Sequence, residues 1–195
     1  MISKVAHSIS YIINPFVISL AALVALTQNA TDTTADSVKW MLLIILLCIL
    51  PLYIASIIFV RSGRMDAIFN NPREQRTPIY VTGIICAAIA LSALVLLEAP
   101  TVLLAAVIAS IIGAVLFLLI NMRWKISVHT ASVASFAVLM VILFGWISAL
   151  IPLVLTTLVG WSRLTLKQHT FYQVIAGALV SVVVFTIIFA LFDII

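Results

Sequence analysis

Charge is the scarcest commodity in this chain. Ten Lys and Arg and six Asp and Glu amount to 8% of 195 residues, while 65% are apolar. Soluble domains average about 25% charged and about 45–50% apolar. That excludes a water-soluble globule: most side chains must face lipid or other apolar helices. Cysteine is nearly absent. Cys48 and Cys86 lie inside apolar runs and read as small core or lipid-facing residues, which excludes a disulfide framework or a cysteine metal site. Long polar linkers, internal repeats and low-complexity tracts are missing, so there is room for one membrane bundle and no added soluble domain. The net charge of +4 speaks to orientation in a membrane and not to nucleic acid.

What is there is a series of apolar runs. A span needs about 20 apolar residues, and seven stretches qualify as candidates: 9–27, 39–60, 78–97, 101–121, 127–145, 147–162 and 171–193. The expectation is an all-α, polytopic transmembrane bundle of about seven spans, forming a single integral membrane domain over 1–195. The sixth stretch has Pro152 near its start and is short; continuing it through Trp161-Ser162-Arg163 gives it normal length. The first, with Lys4 ahead of it and LTQNA after it, has the outline of a signal peptide, but its apolar run is long for that role. It is read as a retained helix.

With seven spans, the N-terminus and loops 61–77, 122–126 and 163–170 share one side. That side holds Lys4, Arg61, Arg64, Arg73, Arg76, Arg123, Lys125, Arg163 and Lys167, and the other holds only Lys39. Nine of ten basic residues on one face fit the positive-inside rule, which makes that face cytoplasmic and puts the C-terminus opposite. The same clustering also fits an anion site, and setting aside Arg73, Arg76, Lys125 and Arg163 as functional leaves five against one. Trp124 and Trp161 flank this face, as an aromatic belt or as the lining of a lipid entry.

Two of the three histidines sit on the basic face at helix ends. His129 opens the fifth stretch and His169 precedes the seventh, each a few residues after Lys or Arg; His7 reads as solvated or interfacial. Ionisable groups beside a span are functional candidates. Arginine holds phosphate oxygens with a planar fork. The helix start in KISVHTAS, at Ser127 and His129, adds free amides and a positive dipole end. One imidazole attacking phosphorus, another protonating the leaving oxygen and arginines holding the remaining oxygens would make a phosphoryl-transfer site that needs no metal. Arg61, Arg64 and Arg123 read as interfacial anchors, and Lys125 as an anchor or a contributor.

Three motifs resemble one family. SRLTLKQHTFYQ, from Ser162 to Gln173, resembles the third signature, SRxxxxxHxxxD, of the type-2 phosphatidic acid phosphatase superfamily, with Gln173 where the family has Asp. KISVH resembles its second signature, PSGH, at Ser127 and His129, with Ile126 and Val128 for Pro and Gly. REQRTP stands where KxxxxxxRP is expected: Arg76 lies two residues before Pro78, and Arg73 stands in for the lysine at a different spacing. The likeness covers about residues 60–190. The form HTFYQV is similar to dolichyl diphosphatases and related polyprenyl phosphate phosphatases.

The resemblance implies a six-helix core plus one additional helix, a membrane lipid as substrate, and no cofactor. It implies that His169 attacks phosphorus to give a phosphohistidine and that His129 protonates the leaving oxygen. Arg163, with Arg73 or Arg76, would grip the phosphate, and Ser127 and Lys125 would assist. Gln173 would accept a hydrogen bond from Nδ1–H of His169 and so orient it, without the negative charge of an Asp. The alternatives are a non-catalytic lipid-binding or transport protein on the same fold, and an intramembrane prenyltransferase. The second requires carboxylates for magnesium, of which the basic face has only Asp66 and Glu74.

Overall fold

A computed structural model describes all 195 residues as nine α-helices with short π and 3-10 turns and no strand. The helices are α1 (Ile2–Ile12), α2 (Pro15–Ala30), α3 (Thr34–Ile44), α4 (Leu50–Arg61), α5 (Thr77–Leu96), α6 (Thr101–Asn121), α7 (Val128–Phe144), α8 (Leu150–Thr165) and α9 (Phe171–Leu191). α3 and α4 run on through a π turn, Ile45–Ile49, as one helical stretch, and a 3-10 turn, Trp146–Ala149, leads into α8.

Five stretches are long and apolar enough to cross a membrane: Thr34–Arg61, Arg73–Leu96, Thr101–Asn121, Trp146–Thr165 and Phe171–Leu191. α1 and α2 make a sixth if they count as one span, bent by 43°. α7 is apolar but has 17 residues, the lower limit for a crossing. The chain is an integral membrane protein with an all-helical, polytopic architecture. The first apolar stretch, expected as one helix over 9–27, is instead broken. Pro15 has no N–H to continue α1, and the Asn14 side chain caps the new helix by accepting from the amides of Phe16 at 2.9 Å and Val17 at 3.1 Å. The expected polar linker 28–38 is also shorter: α2 persists to Ala30, and Thr33 caps α3 through the amide of Asp36 at 3.1 Å. The sixth stretch does extend past Arg163, to Thr165.

Small residues allow the central helices to approach closely. Leu103, Ala105, Ala106 and Ala109 of α6 are buried with Val184, Ile188 and Phe189 of α9. α7 packs against α2, α8 and α9, and α1 lies along α8. Ile85, Ile89, Leu119, Val183 and Ile187 point outward and are exposed, as lipid-facing residues are. His7 is exposed near the start of α1, while Trp124 and Trp161 are about two-fifths exposed beside the basic end of the bundle.

Candidate active site

The five residues between Arg163 and His169 close into a turn. Lys167 takes a left-handed conformation, φ 53°, so the chain folds back and the amides of Gln168 and His169 both donate to the carbonyl of Arg163, at 3.1 and 3.4 Å. The spacing of the motif is therefore the length of one helix-ending turn, which returns His169 over the residue that carries the guanidinium. α9 then starts with a capping box. Thr170 Oγ1 accepts from the Gln173 amide at 3.4 Å, and Gln173 Oε1 accepts from the Thr170 amide at 3.1 Å. The same Oε1 lies 3.2 Å from His169 Nδ1. An amide oxygen can only accept, so the pair requires Nδ1–H on His169 and leaves the Nε2 lone pair free.

The second motif is locked to the third. Ser127 caps α7, its hydroxyl accepting from the Thr130 amide at 3.5 Å, and its own amide donates to the carbonyl of Gln173 at 3.3 Å. Thr130 Oγ1 donates to the carbonyl of Val174 at 3.1 Å. Gly177 makes this contact possible: a Cβ there would stand 2.4 Å from the Ser127 carbonyl oxygen. The result is that His129 and His169 are carried on two helix starts that touch. The first amides of α7 have no intrahelical acceptors and give that end a positive character.

Arg76 comes from REQRTP, the segment that stands where KxxxxxxRP is expected. It is buried; Nε donates to the Asn71 carbonyl at 3.1 Å and Nη1 to the Ile126 carbonyl at 3.0 Å. It thus ties the irregular segment 62–72 to the turn before α7. Arg76, His129 and His169 all line one cavity of about 440 Å³, and no Asp or Glu does. Beyond the polar end the cavity is apolar, bounded by Leu23, Leu26, Ile44, Leu103 and Val107. Arg163 is 1% exposed, with Nε and Nη2 buried and unpartnered, and the Nε2 of His129 is likewise buried without a partner.

Burial holds the His169 imidazole down to about 3, with Arg163, Arg76 and Lys125 pushing the same way and the Gln173 hydrogen bond opposing them. Lys125, half-buried in the loop before α7, is lowered by burial and by the same two arginines. An uncharged, oriented imidazole amid three cations has the properties of a nucleophile waiting for an anion.

Not every expected residue joins this group: Arg163 and Lys125 lie close enough to His169 to act on its charge but do not line the cavity. Arg73 is partly exposed and engaged elsewhere, its Nε on Glu74 at 2.7 Å and Nη1 on the Met122 carbonyl at 2.9 Å. Ser127 is fully buried as a cap and does not line the cavity. Asp66 accepts from the Gln75 side chain at 3.0 Å, so both carboxylates of the basic face are already partnered. Three contributors have no counterpart in the motif reading. Tyr80, one turn after Arg76, puts a buried hydroxyl at the cavity wall. Phe69 sets its ring edge-on to His129, centroids 5.8 Å apart, and touches Tyr11 of α1 and Phe16 of α2. Ser10 meets Arg163 across 153 residues of chain. The i to i+4 step marks Tyr80 in the sequence; nothing local marks the other two.

Comparison with known proteins agrees on the C-terminal part. No curated protein and no solved structure matches the chain. The model of the PAP2 superfamily matches residues 121–194, the stretch that runs from the end of α6 through both histidines to the end of α9, so the part of the chain that carries His129, Arg163 and His169 is similar to that superfamily.

Proposed function

We propose that this protein is a membrane-embedded lipid phosphate phosphatase acting on an isoprenoid phosphate or diphosphate. The observation that carries the reading is the shared cavity: Arg76, His129 and His169 at a carboxylate-free end, and an apolar chamber leading away from them. A phosphate head group suits the first and a hydrocarbon tail the second. The PAP2 superfamily match supports the reaction class, and the form HTFYQV supports the isoprenoid choice. The whole chain acts as one membrane-embedded unit, with its basic face towards the cytoplasm and its C-terminus opposite.

In this reading the Nε2 lone pair of His169 attacks the terminal phosphorus, and its bond to the oxygen on the lipid side breaks, so that the leaving group is the alcohol of a monophosphate or the lipid monophosphate of a diphosphate. His129, protonated against the negative charge of the bound phosphate, gives that proton to the departing oxygen. Water then attacks phosphorus, the phosphorus–nitrogen bond breaks and returns its electron pair to His169, His129 takes the proton from that water, and inorganic phosphate leaves. Arg163 and Arg76 neutralise the non-bridging oxygens, and Lys125 adds positive potential. Arg76 is preferred to Arg73 because it lines the cavity and Arg73, paired with Glu74, does not. Ser127 acts by fixing the first turn of α7, and Gln173 by holding the His169 tautomer. No metal and no cofactor enters these steps.

The test is phosphate release by purified protein in EDTA, from a polyprenyl diphosphate and from phosphatidic acid, beside His169→Ala and His129→Ala. We expect release from the isoprenoid substrate to survive EDTA, to vanish in His169→Ala, and to fall about 10²–10⁴-fold in His129→Ala. Faster release from phosphatidic acid would replace the isoprenoid by a glycerolipid. Folded protein that releases nothing from either would leave a non-catalytic lipid-binding protein.

A further inference from the structure

α1, with the sequence ISKVAHSISYI, lies outside the stretch matched to the superfamily. Ala6 and Ser10 are one turn apart and buried, at 0% and 5% exposure, whereas Ile2, Val5, Tyr11 and Ile12 face outward. The buried face lies along α8 and contacts two consecutive residues there. Ser162 Oγ donates to the Ala6 carbonyl at 2.9 Å, and Arg163 Nη1 donates to Ser10 Oγ at 2.7 Å. All four residues are buried.

The choice of nitrogen is informative. In a guanidinium, Nη1 lies on the Cδ side, while Nε–H and Nη2–H point in parallel along the opposite edge. That edge fits two oxygens of a phosphate at once, and with Nη1 engaged it is the bidentate edge that remains. In Arg163 it is the edge left without a protein partner, although it is buried. Unpaired buried donors of a charged group are unfavourable, and their natural acceptor here is an anion. A hydroxyl fixed on Nη1 stops the guanidinium from turning about its long axis and presenting another edge.

We propose that Ser10 is a positioning residue: by accepting from Nη1 it aims the Nε/Nη2 edge of Arg163 at the phosphate oxygens, so that a helix from the start of the chain completes the anion cradle formed near its end. The inference rests on the reading of this cavity as a phosphate site. It goes further in making phosphate affinity depend on α1.

The test measures inorganic phosphate binding by the full-length protein in detergent, through the concentration dependence of its protection against thermal unfolding. Ser10→Ala is expected to weaken binding about tenfold. Ser10→Cys, nearly the same size but a poor acceptor, should do the same, and Ser10→Thr should restore affinity. In an Arg163→Lys background, which has no fork to orient, Ser10→Ala should change affinity by less than about twofold. The proposal is overturned if Ser10→Ala and Ser10→Cys bind phosphate as the parent does, or if their loss persists undiminished in the Arg163→Lys background, which would mark a packing role. A parent protein that binds phosphate in this Ser10-dependent way but hydrolyses no lipid phosphate would sink the proposed function and uphold the inference. A folded parent that binds no phosphate at millimolar concentration would overturn both.

Discussion

At the scale of the residue, the decisive pair is His169 and Gln173. His169 at about 3 lies below the ordinary histidine value, so its imidazole is neutral throughout the physiological range. The phosphate-free protein should show His169 ring resonances that stay flat from pH 8 to pH 5; a midpoint near 6.5 would mean that the imidazole is solvated. The unfolded chain binds the proton first, so this histidine's contribution to stability is present above about pH 6.5 and is lost progressively as pH falls from there towards 3. Gln173→Glu keeps an acceptor at the same reach and adds a negative charge beside the imidazole and the start of α9. It should raise the His169 titration and strengthen the capping box. If Gln173 acts as an oriented but uncharged stand-in for a carboxylate, the variant should also turn over faster at neutral pH. Much at this scale was legible in advance. His129, His169 and Arg163 stand out in the sequence by type and spacing, because a motif is a local pattern, and the fold brings the two histidines to one cavity. Ser10 and Phe69 were not, because their roles exist only through partners far along the chain.

At the scale of the element, the site depends on two helix starts held in contact and one turn in a left-handed conformation. Gly177→Ala places a methyl group 2.4 Å from the Ser127 carbonyl oxygen and 3.0 Å from Thr130 Oγ1. Backbone cannot swing aside as a side chain can, so this change should destabilise the protein by about 1–3 kcal/mol and impair activity by shifting His129 relative to His169. Gly160→Ala meets side chains alone, Val174 Cγ1 at 3.1 Å and Thr130 Cγ2 at 3.8 Å, and should be milder in the same thermal-denaturation assay. Lys167→Gly removes the roughly 1–2 kcal/mol that a non-glycine residue loses in this conformation. The measured gain should be smaller, because glycine also loosens the unfolded chain. Hydropathy located the helices well, since every apolar run but the first is one helical stretch. It could not find the break at Asn14-Pro15, because the run continues smoothly across it and only the cap chemistry marks the join.

At the scale of the whole molecule, basic residues gather at one end of the bundle and the reading makes that end cytoplasmic. Single cysteines introduced at Ser62 and Thr33, in a background where Cys48 and Cys86 are replaced by Ala, test this. A membrane-impermeant maleimide should reach Thr33→Cys in intact cells and Ser62→Cys only after permeabilisation; the reverse pattern would invert the protein. Orientation was readable only as a count of charges, because the residues that bind an anion are the same ones that report topology. The lopsided cavity, cationic at one end and hydrocarbon along the rest, has a further consequence if a lipid phosphate is cleaved there. The two products have opposite solubilities and opposite exits. The freed phosphate departs into water past Lys125, and the lipid product slides back between the helices into the bilayer, so neither need wait for the other, and raising phosphate in the aqueous phase should slow turnover far more than loading the membrane with that lipid product.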